Sequence, residues 1–298
     1  MTTARLLGPG DEAALEAFLR AHADSAMFLR SNLRAAGLVD HGQPLEGTYA
    51  ADVTADGRIT SVVGHFWNAN LLAQAEPARA AALARLAIHR TGRAVAGFVG
   101  PWDQVVAMRD GLGFARAAAA VATREVLFAL DLAQLTLPAA LLDGRLVGRA
   151  PAPAEMELVT DWRVDYSVEL LGATRGHALH RDAAGDVERL RAGGDSWVVV
   201  DGGKPCAYSA FNARLPDVVQ VGGVYTPPSL RGKGYARAVV GASLRDARAA
   251  GATRAILFTG DANHAAQKAY RALGFQVVGD YGLVLLREPR APSDAPSA

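Results

Sequence analysis

Val224-Tyr225-Thr226-Pro227-Pro228-Ser229-Leu230-Arg231-Gly232-Lys233-Gly234-Tyr235-Ala236 is the stretch from which the rest of the chain can be read. Its β-branched and aromatic start continues the strand pattern Val218–Tyr225, and two prolines then turn the chain. A basic, glycine-containing loop follows and opens directly onto Arg237-Ala238-Val239-Val240-Gly241-Ala242-Ser243-Leu244, a helical pattern. The first N–H groups of a helix have no intrahelical partner, and the helix dipole favours negative charge there. Gly232 and Gly234 can take positive φ and let the backbone approach a ligand, while Arg231 and Lys233 add whole charges. The loop therefore reads as a seat for a phosphate-bearing ligand. A nucleoside-triphosphate loop would follow its lysine with Ser or Thr, whereas Lys233 is followed by Gly234.

The 298 residues are enough for about two domains, and half are hydrophobic, which supplies each with a core. With 31 basic and 30 acidic side chains the formal net charge is +1, which leaves no electrostatic footprint for nucleic acid. The single cysteine, Cys206, excludes an internal disulfide and a cysteine-built zinc site. His177 and His180 have no third ligand in view, so no metal is expected. No apolar run reaches the roughly 18 residues of a membrane span, and no signal pattern opens the chain. The expectation is a cytoplasmic protein, monomer or homodimer, with no membrane or nucleic-acid partner.

Outward from the loop, Trp197–Val200 and Cys206–Phe211 form a hairpin around Asp201-Gly202-Gly203. The pair Gly222-Gly223 inside the following strand predicts a bulge or a close backbone approach. After the loop come a helix to about Ala250, a buried strand Ala255–Thr259, and a helix Asn263–Leu273 capped by Asp261 or Asn263. Strands Gln276–Val278 and Gly282–Leu286 complete this half. Upstream, Met156–Trp162 and Val164–Leu171 read as two helical pieces, and Asp186–Arg191 as a turn or two. The N-terminal half predicts a strand at Ala4–Leu7, a helix capped by Asp11, and strands at Gly47–Val53 and Ile59–Trp67. A helix Ala78–His89 started by Pro77, a strand Val95–Val99, a helix Pro101–Leu112 and a strand Glu125–Leu130 follow.

The halves repeat one another. Gly97-Phe98-Val99-Gly100 leads through a helix to Leu112-Gly113-Phe114, and Leu257-Phe258-Thr259-Gly260 leads through a helix to Leu273-Gly274-Phe275. A repeat about 160 residues apart points to duplication of one fold. The expected domains are 1–135 and 146–288, with the Leu132–Leu142 segment at the junction and a disordered tail at 289–298.

Over Leu146–Leu286 the chain resembles the GNAT superfamily of acyl-CoA-dependent N-acetyltransferases. The resemblance rests on Arg231-Gly232-Lys233-Gly234-Tyr235-Ala236 after a strand, followed by Asn263, Ala266, Tyr270 and Gly274-Phe275 in order. It implies an α+β fold with a mixed sheet, two tandem GNAT-like domains, and acetyl-CoA as acyl donor to a small-molecule or peptide amine. It also implies direct attack without a covalent enzyme intermediate. Residues Arg231, Gly232, Lys233, Gly234, Tyr235 and Ala236 would hold the pyrophosphate, and Val224, Tyr225 and Thr226 the pantetheine arm. The Val224 N–H would polarise the thioester carbonyl. Asn263 would contact the arm, unless it is only a helix cap, and Tyr270 would be the general acid, unless it is only a core aromatic. A neutral amine must form from an ammonium of pKa near 10.4, yet Asp217, Gln220 and His264 offer no clear base. In the first half only Ala75-Glu76-Pro77 separates the strand from its helix, and Arg109 stands where Tyr270 would be, so that domain is expected to be degenerate, structural or a wall of the acceptor pocket. The competing readings are a non-catalytic CoA-binding protein, or an acyltransferase with a bulkier acyl group or an amino-acid acceptor.

Overall fold

The computed structural model describes residues 2–291. In chain order the elements are β1 (Thr2–Leu6), α1 (Glu12–Ala21), α2 (Met27–Ala36), β2 (Gly47–Thr54), β3 (Ile59–Phe66), β4 (Asn70–Gln74), α3 (Pro77–Thr91), β5 (Val95–Pro101), α4 (Trp102–Gly111) and β6 (Ala119–Asp131). They continue with α5 (Ala139–Leu142), β7 (Leu146–Arg149), α6 (Met156–Leu171), α7 (His177–Ala192), β8 (Ser196–Asp201), β9 (Lys204–Arg214), β10 (Val218–Tyr225), α8 (Tyr235–Ala249), β11 (Arg254–Gly260), α9 (His264–Arg271) and β12 (Gln276–Arg290). The chain divides into two compact units, Met1–Leu127 with Gly279–Ala298, and Phe128–Val278.

In the first unit β1, β2, β3 and β4 pair antiparallel in succession and β5 joins β4 in parallel. α3 starts where Pro77 lacks an N–H that a first helical residue does not need, and it ends at Gly92 in the left-handed region. Its stripe of Ala80, Leu83, Ala84, Ala87 and Ile88 is buried against Val63, Leu71 and Phe98. Asp11 does not cap α1 through its side chain. Its carboxylate takes a bidentate bond from Arg5 at 2.6 and 2.7 Å and one from the Gly8 N–H, and these hold it near pKa 2, with the Arg5 bond the main cause.

The second unit repeats the pattern: β7, β8, β9 and β10 are antiparallel neighbours, and β11 lies parallel to β10. The two predicted pieces before Gly172 are one helix, α6, because Val159, Trp162, Val164 and Ser167 keep an inner face across the polar Arg163. α7 is also longer than predicted. Its buried Ala183, Val187 and Leu190 follow helical spacing, but alanines and Gly185 blur the pattern in sequence. The duplicated tripeptides close their helices in the same way. Gly113 and Gly274 have φ of 81° and 105°. Phe114 N–H donates to Arg109 O and Phe275 N–H to Tyr270 O, five residues back in both cases.

The last strand departs from the expected path. The predicted segments Gln276–Val278 and Gly282–Leu286 are one strand, β12, and from Tyr281 it pairs antiparallel with β5 of the first unit. Val284 and Leu286 join the core of that unit, while Phe128–Asp131, the end of β6, belong to the second. Backbone pairing is indifferent to which half supplies a strand, so a duplicated sequence leaves this choice open. Pro289 and Arg290, at the start of the predicted tail, fall within β12, Ala291 follows it, and residues 292–298 lie outside the described residues. No helix among the described residues is long and apolar enough to cross a membrane.

Candidate functional site

β10 is the irregular strand of the second unit. Against β9, Gly222 faces Ala210 and Tyr225 faces Tyr208, so three steps on β10 meet two on β9, and Gly223 takes φ +60. A second irregularity lies between Gln220 and Val221, where Asn212 of β9 is the extra residue. Asn212 lies against Gly222, and a Cβ there would come within 2.0 Å of its amide. The predicted bulge therefore falls on the glycine pair. On its other side β10 pairs with β11 only from Val218↔Arg254 to Gln220↔Ile256; beyond these the strands run on to Tyr225 and Gly260 outside the ladder.

The loop leaves β10 through a single turn of 3₁₀-helix at Pro228–Leu230. Gly232 and Gly234 have φ of 79° and 83°, and a Cβ on either would meet nothing within 4 Å. Their backbone geometry favours glycine, and the space beside them is open. The first helical bond of α8 runs from Ala238 N–H to Gly234 O at 3.0 Å, so the N–H groups of Tyr235, Ala236 and Arg237 precede it. Lys233 is exposed on the same loop. The Tyr235 hydroxyl donates to Asp201 Oδ2 at 2.5 Å, anchoring the start of α8 to the β8–β9 turn and pushing the phenol up to about 12.

Arg231 is already engaged. Its Nε donates to Thr226 O at 2.9 Å, its Nη2 to Glu169 Oε2 at 2.7 Å, and its guanidinium stands 5.8 Å from the Tyr225 ring. The bond to Glu169 is the main cause of a raised guanidinium pKa. Tyr225, facing Asp165 Oδ2 at 3.5 Å, is raised first by burial and then by the charges of Asp165 and Glu169. Asp165 also receives Arg175. Thr226 Oγ1 is buried with no hydrogen-bond partner.

Asn263 caps α9, its Oδ1 accepting from Ala266 N–H at 3.2 Å on the exposed surface. Tyr270 is buried, with Phe128 and Phe275 edge-on at 6.3 and 6.1 Å. Of the weighed bases, Gln220 is buried with Nε2 on Val221 O and Oε1 unpartnered, and His264 is exposed at the first turn of α9. Asp217 bonds the Thr253 and Arg254 N–H groups through its main-chain carbonyl. The stretch 224–236 is thus one continuous segment of strand, loop and helix start, with Tyr270 on the helix after β11. The residues that sequence reasoning did not reach are Asp165, Glu169 and Asp201. The i,i+4 spacing of Asp165 and Glu169 marks one helix face, but only the fold lays that face against the loop. Cys206 is buried, its thiol on Lys204 O, as a small core residue would be. His180 does meet Glu157 and Asp161, each at 3.7 Å, on an exposed surface of α6 and α7.

At the corresponding place in the first unit the backbone donors are taken by the chain's own side chains. Gln104 Oε1 accepts from the Ala75 N–H at 2.8 Å and Ser61 Oγ from the Glu76 N–H at 3.0 Å. Glu76 is the N-cap position of α3, Pro77 follows without an N–H, and Arg79 is paired with Asp52 at 2.8 Å.

The model of the acetyltransferase (GNAT) family matches residues 156–275. Among solved structures, an acetyltransferase of the GNAT family from Colwellia psychrerythraea aligns over 96% of this chain and 100% of its own, at 15% identity and a TM-score of 0.50. A GCN5-related N-acetyltransferase from Sphaerobacter thermophilus covers 95% of this chain with 94% of its own, at 15% identity and a TM-score of 0.56. A tandem GNAT protein from the clavulanic acid biosynthesis pathway covers 99% with 100% of its own, at 14% identity and a TM-score of 0.53. At these identities the likeness is one of fold, and it extends over both units. No curated protein matches the sequence.

Proposed function

The chain is a GNAT-superfamily protein of two domains, with the family match at residues 156–275, and from this we propose that its second unit transfers an acetyl group from acetyl-CoA to a primary amine. The observation that carries the reading is the path of β10. It leaves the β11 ladder after Gln220, then runs without a break into the loop that sets Gly232 and Gly234 at positive φ ahead of α8. The open glycine face, the N–H groups ahead of the first helical bond and the orphaned Thr226 hydroxyl suit a ligand with a pyrophosphate and an amide-bearing arm.

Acetyl-CoA supplies the activated acyl group; the chain binds it and manages protons. Residues Arg231 to Ala236 hold the pyrophosphate, and Val224, Tyr225 and Thr226 present backbone groups to the arm. The Val224 N–H donates to the carbonyl oxygen as negative charge develops there. The amine nitrogen bonds to the carbonyl carbon as the carbon–sulfur bond breaks. Tyr270 gives its proton to the departing thiolate, and the amine's proton leaves to solvent. Asn263 serves as the cap of α9, a role compatible with contact to the arm. We assign the first unit no CoA site, since Gln104, Ser61 and Pro77 occupy or remove the donors that a pyrophosphate would use. The setting we propose is the cytoplasm.

Titrating acetyl-CoA into the purified protein by calorimetry tests the first step. Binding is expected, and Gly234→Val should abolish it, because a β-branched side chain is strained at φ +83 and would cover the ligand face. No heat from the wild type, or unchanged binding by a folded Gly234→Val protein, would sink the reading.

A further inference from the structure

The bulge of β10 carries a cation. Gly223 is bare, and a Cβ placed on it would lie 3.2 Å from Arg163 Nη1 and 3.9 Å from Tyr208 Cε1. Arg163 reaches this point from α6, its side chain 19% exposed and its guanidinium 5.3 Å from the Tyr166 ring. A guanidinium has five N–H donors. Among the described residues one of them is used, from Nη2 to Asp186 Oδ2 at 3.3 Å, which is long for a charge-assisted bond. Asp186 is itself shared with Arg189 at 3.2 Å.

The neighbouring carboxylates are also committed, Asp165 to Arg175 and Glu169 to Arg231. The charged group that touches the Gly223 position is the Arg163 guanidinium, and its one carboxylate partner, Asp186, is shared with Arg189. Tyr208 stands under the same bulge, 1% exposed, and its hydroxyl makes no hydrogen bond of full geometry, although Ser196 is near. A half-buried guanidinium with donors in a planar fork, beside an orphaned phenol and a strip of bare backbone, matches a carboxylate. A second cation at this place would meet Arg163 at close range, so a polyamine fits poorly.

Resting on the reading of the second unit as an acyl-CoA N-acyltransferase, we propose that its acceptor is a primary amine that also bears a carboxylate, and that Arg163 binds that carboxylate beside the β10 bulge. Arg163 is thus a specificity-determining residue, and the missing side chain of Gly223 is what lets its guanidinium come up to the β10 backbone. The amine of such an acceptor then lies toward Val224, whose N–H is assigned to the thioester carbonyl.

The experiment follows CoA release by the full-length protein with matched acceptors: small amino acids, their amides and the amines lacking the carboxyl carbon. The free acid should be used at least about tenfold better in kcat/KM than its amide, because a site built for a hydrogen-bonding group rejects analogues without it. Arg163→Gln should erase that preference by raising KM for the acid, with kcat changed much less. Arg163→Lys should restore part of it, since the charge returns without the fork. Melting curves of both variants confirm that they are folded. An amide used as well as its acid by the wild type overturns the proposal without any variant. So does an Arg163→Gln protein that keeps the preference, or acetyl-CoA binding with no turnover of any carboxylated amine. Failure to bind acetyl-CoA at all would instead remove the acyltransferase reading on which the proposal rests.

Discussion

Replacing Glu169 with glutamine should tighten acetyl-CoA binding, because the carboxylate now holds the arginine that the pyrophosphate would use. Arg231 Nη2 lies 2.7 Å from Glu169 Oε2, and the two side chains are 45% and 40% exposed. Exposed ion pairs contribute about 0.2–1 kcal/mol after solvent screening and side-chain ordering. Releasing the pair, and removing one like charge from beside an anionic ligand, should therefore lower Kd by about two- to fivefold. Calorimetry at low and high salt provides the assay. The gain should be largest near 50 mM salt and shrink toward 0.5 M, since the screening length shortens from about 14 Å to about 4 Å. If Glu169 acts through Arg231, the Glu169→Gln change should have little further effect in an Arg231→Ala background. Weaker or unchanged binding by Glu169→Gln at low salt would refute the competition. A full gain retained without Arg231 would show that Glu169 acts on the ligand directly.

Tyr270→Phe should lower kcat for CoA release well beyond any change in acetyl-CoA Kd, because only the hydroxyl is lost while the ring keeps its place between Phe128 and Phe275; equal turnover would remove Tyr270 from the reaction. Asn263→Ala should cost about 1 kcal/mol in a denaturant titration by removing the bond to Ala266 N–H, and a change within error would mean that the cap is dispensable. The first unit should lose stability in mild acid. His65 is buried against Thr91 and Ala94, and desolvation lowers its pKa from 6.5 to about 4. Its neutral form is thus favoured on folding, so this contribution is complete above pH 6.5 and lost as pH falls toward 4, about 3 kcal/mol in all. Denaturation midpoints between pH 7 and 4.5 measure it; a His65→Gln variant with the same pH slope would assign the loss elsewhere.

The loop and its glycines were legible because their constraints are local. Positive φ at Gly232 and Gly234, the cap at Asn263 and the Leu-Gly-Phe helix ends each depend on a few consecutive residues. The bulge at Gly222-Gly223 was legible for the same reason, although not what stands beside it. Two helices were read short because alanine, glycine and isolated charges dilute their buried stripes: Arg163 interrupts α6, and Gly185 thins α7. The same Arg163 had no visible role in sequence, since its partner Asp186 is on another helix and its neighbour Gly223 on a strand.

By itself the sequence determined most of the order of strands and helices, the repeated unit, the basic glycine loop ahead of α8 and the different residues, Ala75-Glu76-Pro77, at the matching place in the first unit. These are properties of short-range backbone preference and side-chain type. Tertiary structure alone decided that β12 closes the first unit against β5, and that Glu169 occupies Arg231. It also decided that Gln104 satisfies Ala75 and that Arg163 lies over Gly223. Strand pairing and charge pairing are set by which surfaces meet, and chain distance carries almost no information about that.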